Sequence, residues 1–406
     1  MRILNTNKNS ANKNIFSFFI CCLLCSIMNV SAQNNNNSPS YAVQMANSEM
    51  TRNPQAYTID WRTEPRWDYT HGLVLLSFAK LYQHQPEQRY FNYIKEYLDA
   101  LVMEDGSIKT YVMSKYNLDM LNTGKLLFFM FDETKDRKDR KYRLALDTLY
   151  AQFKLQPRTI DGGFWHKKRY TSQMWLDGLY MAAPFYAEYI RRFGTVDQYD
   201  DVIKQFELIE QHTYRSDTAL PVHGWDESKQ QRWADKKTGQ SPNHWSRSIG
   251  WYAMAMVDVL DQLPNEYPKK AWLTQRFTAL IDNMLKLRSD SGVWYQVTDK
   301  GELRGNYLES SGSAMLSYAI ARAVNQGYLS ESYQVIAKNT FNAVVSNFIK
   351  READNTLSIQ QVCEVAGLGG KPYRDGSFAY YISENVRAND PKAVGPFILA
   401  SLEMEK

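Results

Sequence analysis

QMWLDGLYMAAPFYAEYIRRFGTVDQYDDVIKQFELIEQH, residues 173–212, contains two runs of apolar residues at helical spacing that are joined by a short turn. The turn from Phe193 to Gln198 contains a glycine and a threonine, residue types that commonly end one helix and begin the next. Two helices joined by so short a connection pack side by side in opposite directions. This stretch therefore predicts a helical hairpin.

The same periodicity recurs along the chain, whereas the alternating pattern of half-buried strands is scarce. Boundaries at glycine, proline and capping residues predict about twelve helices. They lie near residues 42–52, 70–82, 88–103, 119–134, 139–155, 173–193, 198–212, 244–263, 268–288, 310–326, 330–349 and 390–404. The predicted fold class is all-α.

The connections between these helices alternate between short turns, such as Leu263 to Pro268, and long loops rich in glycine and aromatic residues. Alternation of this kind places every long loop at one end of the molecule, which becomes the functional face. Six hairpins that close into a ring bury their apolar faces without exposed ends, whereas an open solenoid needs capping repeats. The sequence therefore predicts an (α/α)6 barrel of six helical hairpins, with the active site at the long-loop end.

The N-terminus has the three parts of a secretory signal peptide: early cations, an apolar run from Ile15 to Met28, and the small residues Val30-Ser31-Ala32. The run is shorter than the roughly 20 apolar residues that span a bilayer, which argues against a membrane anchor. We predict a signal peptide over residues 1–32, a flexible leader over 33–41 and a catalytic domain over 42–406. The expected location is outside the cytoplasm, in the periplasm.

Composition excludes several classes of protein. The formal charge is +4 for the whole sequence, and removal of the signal leaves it close to neutral, so nothing indicates binding to nucleic acid or to an anionic membrane. Cys363 is the only cysteine outside the signal, which rules out an intrachain disulfide after cleavage. With 10 Trp and 27 Tyr, the chain has enough aromatic residues to line a cleft.

Two aspartates stand at the predicted starts of inner helices, Asp119 in LDMLNTGK and Asp177 in QMWLDGLYM. Paired carboxylates can protonate a sugar derivative and activate a water if their environments separate their pKa values. The apolar neighbours of Asp177 predict a raised pKa and an acid role, with Asp119 as the ionised partner. The alternative is that each aspartate caps its helix.

Three further segments near these helices mix aromatic and charged residues in a way that suits an anionic sugar. The candidates for substrate binding are His166, Lys167, Trp175, His223, Trp245, Arg247 and Trp251. An ordinary structural hydrogen bond is the alternative role for each histidine or arginine. No HExxH, paired cysteines, GxSxG or P-loop spacing occurs, so we expect neither metal nor cofactor.

Several blocks resemble glycoside hydrolase family 105, the unsaturated rhamnogalacturonyl hydrolases. They are GGFWHKKRYTSQMWLDGLYMAAPFYAEY (162–189), GWDESKQQRWAD (224–235), HWSRSIGWYAMAMVDVL (244–260) and the closing segment 362–400. The resemblance implies an (α/α)6 barrel that attacks a Δ4,5-unsaturated uronic acid at a non-reducing end, as left by polysaccharide lyases.

The resemblance also implies roles for single residues. It places the acid/base at Asp177 and the second aspartate at Asp119. His166, Lys167, His223, Arg247 and Trp251 match positions associated with the substrate. Tyr69, in a more variable entry segment, is a possible subsite residue.

Three other functions remain open at this point. An unsaturated glucuronyl hydrolase acting on glycosaminoglycan or ulvan fragments would use the same acid and the same barrel. An inverting glycosidase for saturated sugars is also compatible, because fold alone does not fix function. A periplasmic carbohydrate-binding protein would need the aromatics but not the carboxylates. The only expected partner is the oligosaccharide, with no obligate protein partner.

Overall fold

The computed structural model describes residues 39–134 and 140–406. The predicted signal peptide, and the predicted leader as far as residue 38, lie outside the described residues, so both stay predictions. The first helix begins at Tyr41, one residue before the predicted start of the domain. Within the described ranges no helix has the length and apolar character needed to cross a membrane.

The described residues form mainly α-helices, with short strands in the connections. The helices are α1 Tyr41–Arg52, α2 Tyr69–His84, α3 Gln88–Leu101, α4 Asp119–Asn122, α5 Lys125–Thr134, α6 Lys141–Leu155, α7 Leu176–Phe193, α8 Tyr199–Thr213, α9 Ser246–Leu260, α10 Lys270–Lys286, α11 Ser310–Asn325, α12 Gln334–Phe348, α13 Phe378–Ser383 and α14 Pro391–Met404. The strands pair in twos as β1 Gln173–Trp175 with β4 Gly224–Asp226, β2 Tyr214–Arg215 with β3 Leu220–Pro221, β5 Ile349–Arg351 with β6 Leu357–Ile359, and β7 Val362–Cys363 with β8 Val386–Arg387.

An inner ring contains α2, the α4 and α5 pair, α7, α9, α11 and α14, each in contact with the next, and α14 returns to α2. Behind these helices lie α3, α6, α8, α10 and α12, each packed on the inner helix that precedes it. Apolar side chains from both layers form one continuous core. The predicted (α/α)6 barrel is confirmed.

The sixth hairpin differs from the sequence-based expectation, which had six hairpins in chain order. Its inner helix is α14 and its outer helix is α1, so the two ends of the described chain meet. Ala42, Met45 and Ala46 on α1 are fully buried. Because the terminal helices pair, each inner helix is covered by an outer helix. The ring can then close without an exposed apolar face.

One predicted helix, 119–134, is divided into α4 and α5 at Thr123 and Gly124. The Thr123 hydroxyl donates a hydrogen bond to the Asp68 carbonyl 2.7 Å away, which fixes this turn against the start of α2. A Cβ at Gly124 would lie 2.6 Å from Leu149 Cδ1, so only glycine fits there. The break separates Asp119, which faces the loops, from the buried apolar residues of α5.

Candidate active site

The inner helices begin at the long-loop end of the barrel, and several candidate residues lie in their first turns. Tyr69 begins α2 and Asp119 begins α4, while Asp177 and Arg247 are the second residues of α7 and α9. Helix N-termini present free N–H groups and a partial positive charge. This end of the barrel is therefore suited to an anionic ligand.

A cavity of about 920 Å³ opens at this end. Three of the candidates predicted from sequence line it: Tyr69, Asp119 and Lys167. Residues that the sequence did not single out complete the wall, namely Asp60, Trp61, Arg62, Arg66, Asp68, Thr110, Val112, Ser114, Lys115, Asn117, Met120, Lys168, Arg169, Glu364, Val365, Arg387 and Lys392. Cations outnumber acids in this wall, as an acidic substrate requires.

The Asp119 carboxylate lies between a histidine and a lysine of the glycine-rich loop. Its Oδ1 lies 3.2 Å from His166 Nε2, and its Oδ2 forms an ion pair with Lys167 Nζ. Burial by itself would raise the pKa of Asp119, but Lys167 and His166 outweigh burial and hold the pKa well below its usual range. Asp119 is therefore ionised at neutral pH, as predicted.

Neither aspartate caps its helix, so the alternative role raised from the sequence is wrong. The N-cap of α4 is Leu118 and the N-cap of α7 is Trp175, and neither makes a side-chain capping bond. Asp119 and Asp177 lie inside the first turn, with their carboxylates directed to histidines. The carboxylates are thus available to a ligand.

Asp177 contacts His223, whose side chain is completely buried. Asp177 Oδ2 lies 3.1 Å from His223 Nε2, and the Asp177 side chain is 14% exposed. Burial would raise the pKa of Asp177, but His223 and then His166 overcome burial and lower the pKa. The predicted raised pKa is therefore wrong for the unliganded protein, because the sequence did not reveal the two histidines beside the carboxylate.

The short antiparallel pair of β1 and β4 brings His223 to Asp177. Trp175 pairs with Gly224, and the Leu176 amide donates to the His223 carbonyl at 3.1 Å. A Cβ at Gly224 would lie 2.9 Å from Trp175 Cδ1. The absence of a side chain at Gly224 therefore makes room for the tryptophan.

His166 links the two aspartates. It bonds to Asp119 and also influences the pKa of Asp177, so it lies within electrostatic reach of both. A Cβ at Gly178 would lie 2.9 Å from His166 Nδ1, which shows how closely this ring approaches the start of α7. Burial lowers the pKa of His166 although Asp119 opposes the shift. His166 therefore lies close to the first turn of α7 while it contacts Asp119 at the start of α4.

Tyr381 is a site residue that the sequence analysis missed. Its hydroxyl lies 2.8 Å from His223 Nδ1, and its side chain is fully buried on α13. The contact fixes the orientation of the imidazole that faces Asp177. No local pattern could have revealed it, because 158 residues separate the two partners in sequence.

Six candidates predicted to bind substrate do not line this cavity, namely His166, Trp175, His223, Trp245, Arg247 and Trp251, and Asp177 does not line it either. Trp175 is stacked between His166 and Tyr170, with ring centroids 4.7 and 4.6 Å away. Trp251 is 1% exposed and stacked on Tyr180, so it presents no face on which a sugar could stack, contrary to the expectation.

Arg247 and Trp245 are each 1% exposed. The Arg247 guanidinium donates to the carbonyls of Cys363 and Glu364 and lies 4.6 Å over the Trp245 ring. Arg247 therefore holds the segment that follows β7, and its burial leaves the guanidinium inaccessible to a substrate, contrary to the prediction that Arg247 binds substrate.

Among the described residues, no three His, Cys, Asp or Glu side chains are grouped closely enough to bind a metal ion. The histidines at the site are instead engaged with carboxylates and with Tyr381. Acid–base chemistry by the aspartates is what the arrangement offers.

Comparison with known proteins identifies the kind of enzyme. The model of the Glycosyl Hydrolase Family 88 matches residues 41–406, which is the whole barrel. A solved glycoside hydrolase from family 105 of Clostridium acetobutylicum is 42% identical, with a TM-score of 0.86 over 90% of this chain and 99% of that one.

Two further relatives are similar in sequence to shorter parts of this chain. A 24.9 kDa protein of the picA locus in Rhizobium radiobacter is 36% identical over 229 residues, which are 55% of this chain and 97% of that protein. The unsaturated rhamnogalacturonyl hydrolase YesR of Bacillus subtilis is 24% identical over 259 residues, 63% of this chain and 70% of that enzyme.

Proposed function

The chain belongs to glycoside hydrolase family 105, within the group that the family 88 model describes, and on that basis we propose which bond it breaks. We propose that it releases the Δ4,5-unsaturated uronic acid from the non-reducing end of oligosaccharides made by lyases. The proposed substrate is unsaturated galacturonyl-rhamnose from rhamnogalacturonan, because the relative YesR is an unsaturated rhamnogalacturonyl hydrolase. The reaction is hydration of the C4=C5 double bond.

The observation that carries this proposal is the pair of buried carboxylates held in different charge environments at one rim. Asp119 is locked in an ion pair with Lys167, whereas in the described residues no lysine or arginine nitrogen lies within 4 Å of the Asp177 carboxylate, whose neighbour is His223. A carboxylate without a permanent cation beside it takes up a proton more readily than one that is paired with a lysine. Asp177 is therefore the better acid/base, and Asp119 the fixed negative charge.

In the proposed mechanism, the protonated Asp177 carboxyl donates its proton to C4 of the substrate. The double-bond electrons form the new C–H bond, and positive charge develops at C5, where the ring oxygen shares it. A water then attacks C5 and gives its proton back to Asp177. The resulting hemiketal opens and expels the neighbouring sugar, so no glycosidic oxygen needs direct protonation.

The developing positive charge at C5 is stabilised by nearby negative charge. Asp119 supplies it from a fixed position, because Lys167 and His166 hold both of its oxygens. Electrostatic stabilisation by preoriented groups is usually the largest single contribution to catalysis. Lys167 also lines the cavity and can meet the substrate carboxylate together with the helix N-termini.

The lowered pKa of Asp177 leads to a prediction about pH. In the free enzyme, kcat/KM should fall as pH rises through the Asp177 pKa, because the acid form is lost. The substrate carboxylate adds negative charge and raises that pKa, so the alkaline limb of kcat should lie at higher pH than that of kcat/KM.

His223→Gln should move the kcat/KM limb to higher pH, because it removes the main neighbour that lowers the Asp177 pKa. A limb that does not move in this variant would contradict the pairing.

The test of the proposed function is a time course on defined unsaturated disaccharides. We expect the ultraviolet absorbance of the conjugated double bond to disappear with unsaturated galacturonyl-rhamnose, together with release of rhamnose. Faster loss with an unsaturated chondroitin disaccharide would instead support the glucuronyl hydrolase. Product from a saturated oligosaccharide would support an inverting glycosidase, and binding without any change in absorbance would support a carbohydrate-binding protein.

A further inference from the structure

Trp61 stands at the rim of the 920 Å³ cavity with an unusual degree of exposure. Its side chain is 60% exposed, the most among the exposed aromatic side chains of the described residues, and it lines the cavity beside Asp60 and Arg62. Tryptophan is well buried on average, so an indole this exposed at a cavity mouth has surface available to a ligand. Sugar rings stack on such aromatic faces.

The backbone that presents this indole is strained. Asp60 and Trp61 have positive φ angles of 59° and 55°, which cost free energy for residues other than glycine. The Asp60 carboxylate compensates by accepting hydrogen bonds from Arg387 at 2.8 Å and from the Thr70 hydroxyl at 3.2 Å. The Arg387 guanidinium also lies 4.0 Å over the Trp61 ring. Strain that surrounding contacts maintain is a known feature of ligand-binding segments.

Unpaired positive charge lies in the same cavity. Lys115, Lys168 and Arg169 are exposed side chains that line it, and none forms an ion pair with an acid in the described part of the chain. Lys168 lies near the Tyr116 ring, and Arg169 bonds to the Tyr170 hydroxyl. Three cations without a counter-charge repel one another and attract an anion.

The size of the cavity points beyond a single sugar. Its volume lies near the upper end of the roughly 300–1,000 Å³ range of small-ligand pockets. Asp119 is paired with Lys167, whereas Trp61, Lys115, Lys168 and Arg169 line the same cavity without being part of that pair. Space and charge therefore remain after the terminal uronate is bound.

We propose that Trp61, Lys115, Lys168 and Arg169 form a remote subsite for a carboxylate-bearing sugar of the leaving chain. This proposal rests on the proposed function, since the leaving chain is defined by the reaction. The sugar ring stacks on Trp61, and its carboxylate lies among the three cations. The substrate class is then an acidic oligosaccharide longer than a disaccharide.

The first test compares two substrates in two variants. An unsaturated tetrasaccharide with a second carboxylate should have a higher kcat/KM than the unsaturated disaccharide. Trp61→Ala should lower the tetrasaccharide-to-disaccharide ratio about tenfold, the size of one aromatic contact. The control Val335→Ala removes a 66% exposed side chain on α12, outside the cavity wall, and should leave the ratio as it is. An unchanged ratio in Trp61→Ala would overturn the subsite.

The second test addresses the cations. The double variant Lys168→Gln, Arg169→Gln should lose the preference for the tetrasaccharide. In the wild type, chemical reduction of the carboxyl group on the internal uronate should abolish the same preference. Persistence of the preference after carboxyl reduction would overturn the charge recognition. Calorimetric binding of a saturated acidic tetrasaccharide provides a readout without turnover. If the wild type turns over neither unsaturated substrate while Trp61→Ala still binds the saturated tetrasaccharide more weakly than the wild type does, the two proposals separate. That result would refute the proposed function and retain the subsite.

Discussion

Asp177→Asn is expected to lower kcat on an unsaturated uronyl disaccharide by about three to four orders of magnitude, because one carboxyl serves as both acid and base. Asparagine keeps the size of the side chain but can neither donate a proton to C4 nor accept one from water. Its amide still fits beside His223 Nε2, which lies 3.1 Å from the native carboxylate. The measurement is the initial rate of absorbance loss at saturating substrate.

The fold should survive this change. The Asp177 carboxylate carries no capping bond, so its replacement breaks no helix terminus. The melting temperature should stay within a few degrees of the wild type, and KM should change less than kcat. Asp290→Asn, at an exposed loop position, is the matched control and should be fully active. Near-normal turnover by Asp177→Asn would remove this residue from the mechanism.

Asp119→Asn is expected to have the second largest effect, a loss of about two to three orders of magnitude in kcat, because removing one preoriented electrostatic group commonly costs about that much. The substitution leaves Lys167 and His166 without the negative charge that both contact. The positive charge of Lys167 then faces the developing charge at C5. KM should change less than kcat, since the lost interaction belongs to the transition state.

Asp119→Asn should also destabilise the fold, by about 3 kcal/mol, because it leaves a largely buried cation unpaired. The side chains of Asp119 and Lys167 are only 11% and 16% exposed, so water screens the pair weakly. The folded-state pKa of Asp119 lies below its unfolded value, so this stability is present above about pH 4 and is lost as pH falls through the folded pKa. The difference between wild type and variant should therefore shrink on acidification.

The double variant Asp119→Asn, Lys167→Gln separates charge from catalysis. Removing both members of the pair should recover part of the lost stability, because no unpaired charge remains. Turnover should stay low, since the negative charge beside C5 is still absent. Chemical denaturation at pH 7 and at about pH 2, which is below the usual aspartate pKa, gives the free energies of unfolding. Recovery of turnover in the double variant would show that Asp119 acts only by neutralising Lys167.

Periodicity and connection length were sufficient to predict the barrel. The 3.6-residue spacing and the glycines at helix ends are local properties, so each helix can be recognised from its own segment. The alternation of short and long links then fixed which ends of the helices meet, and hence placed Asp119 and Asp177 on one rim. The blocks that resemble family 105 supplied the reaction, which no spacing could supply.

Only the tertiary structure decided the electrostatics of that rim. The pKa of Asp177 depends on His223, brought to it by the pairing of β1 with β4, and the sequence-based expectation of a raised pKa failed for that reason. Burial of Arg247 and Trp251, and exposure of Trp61, are likewise outcomes of packing between distant segments. Helix formation is local, whereas accessibility and charge depend on partners far away in the chain, such as Tyr381 beside His223.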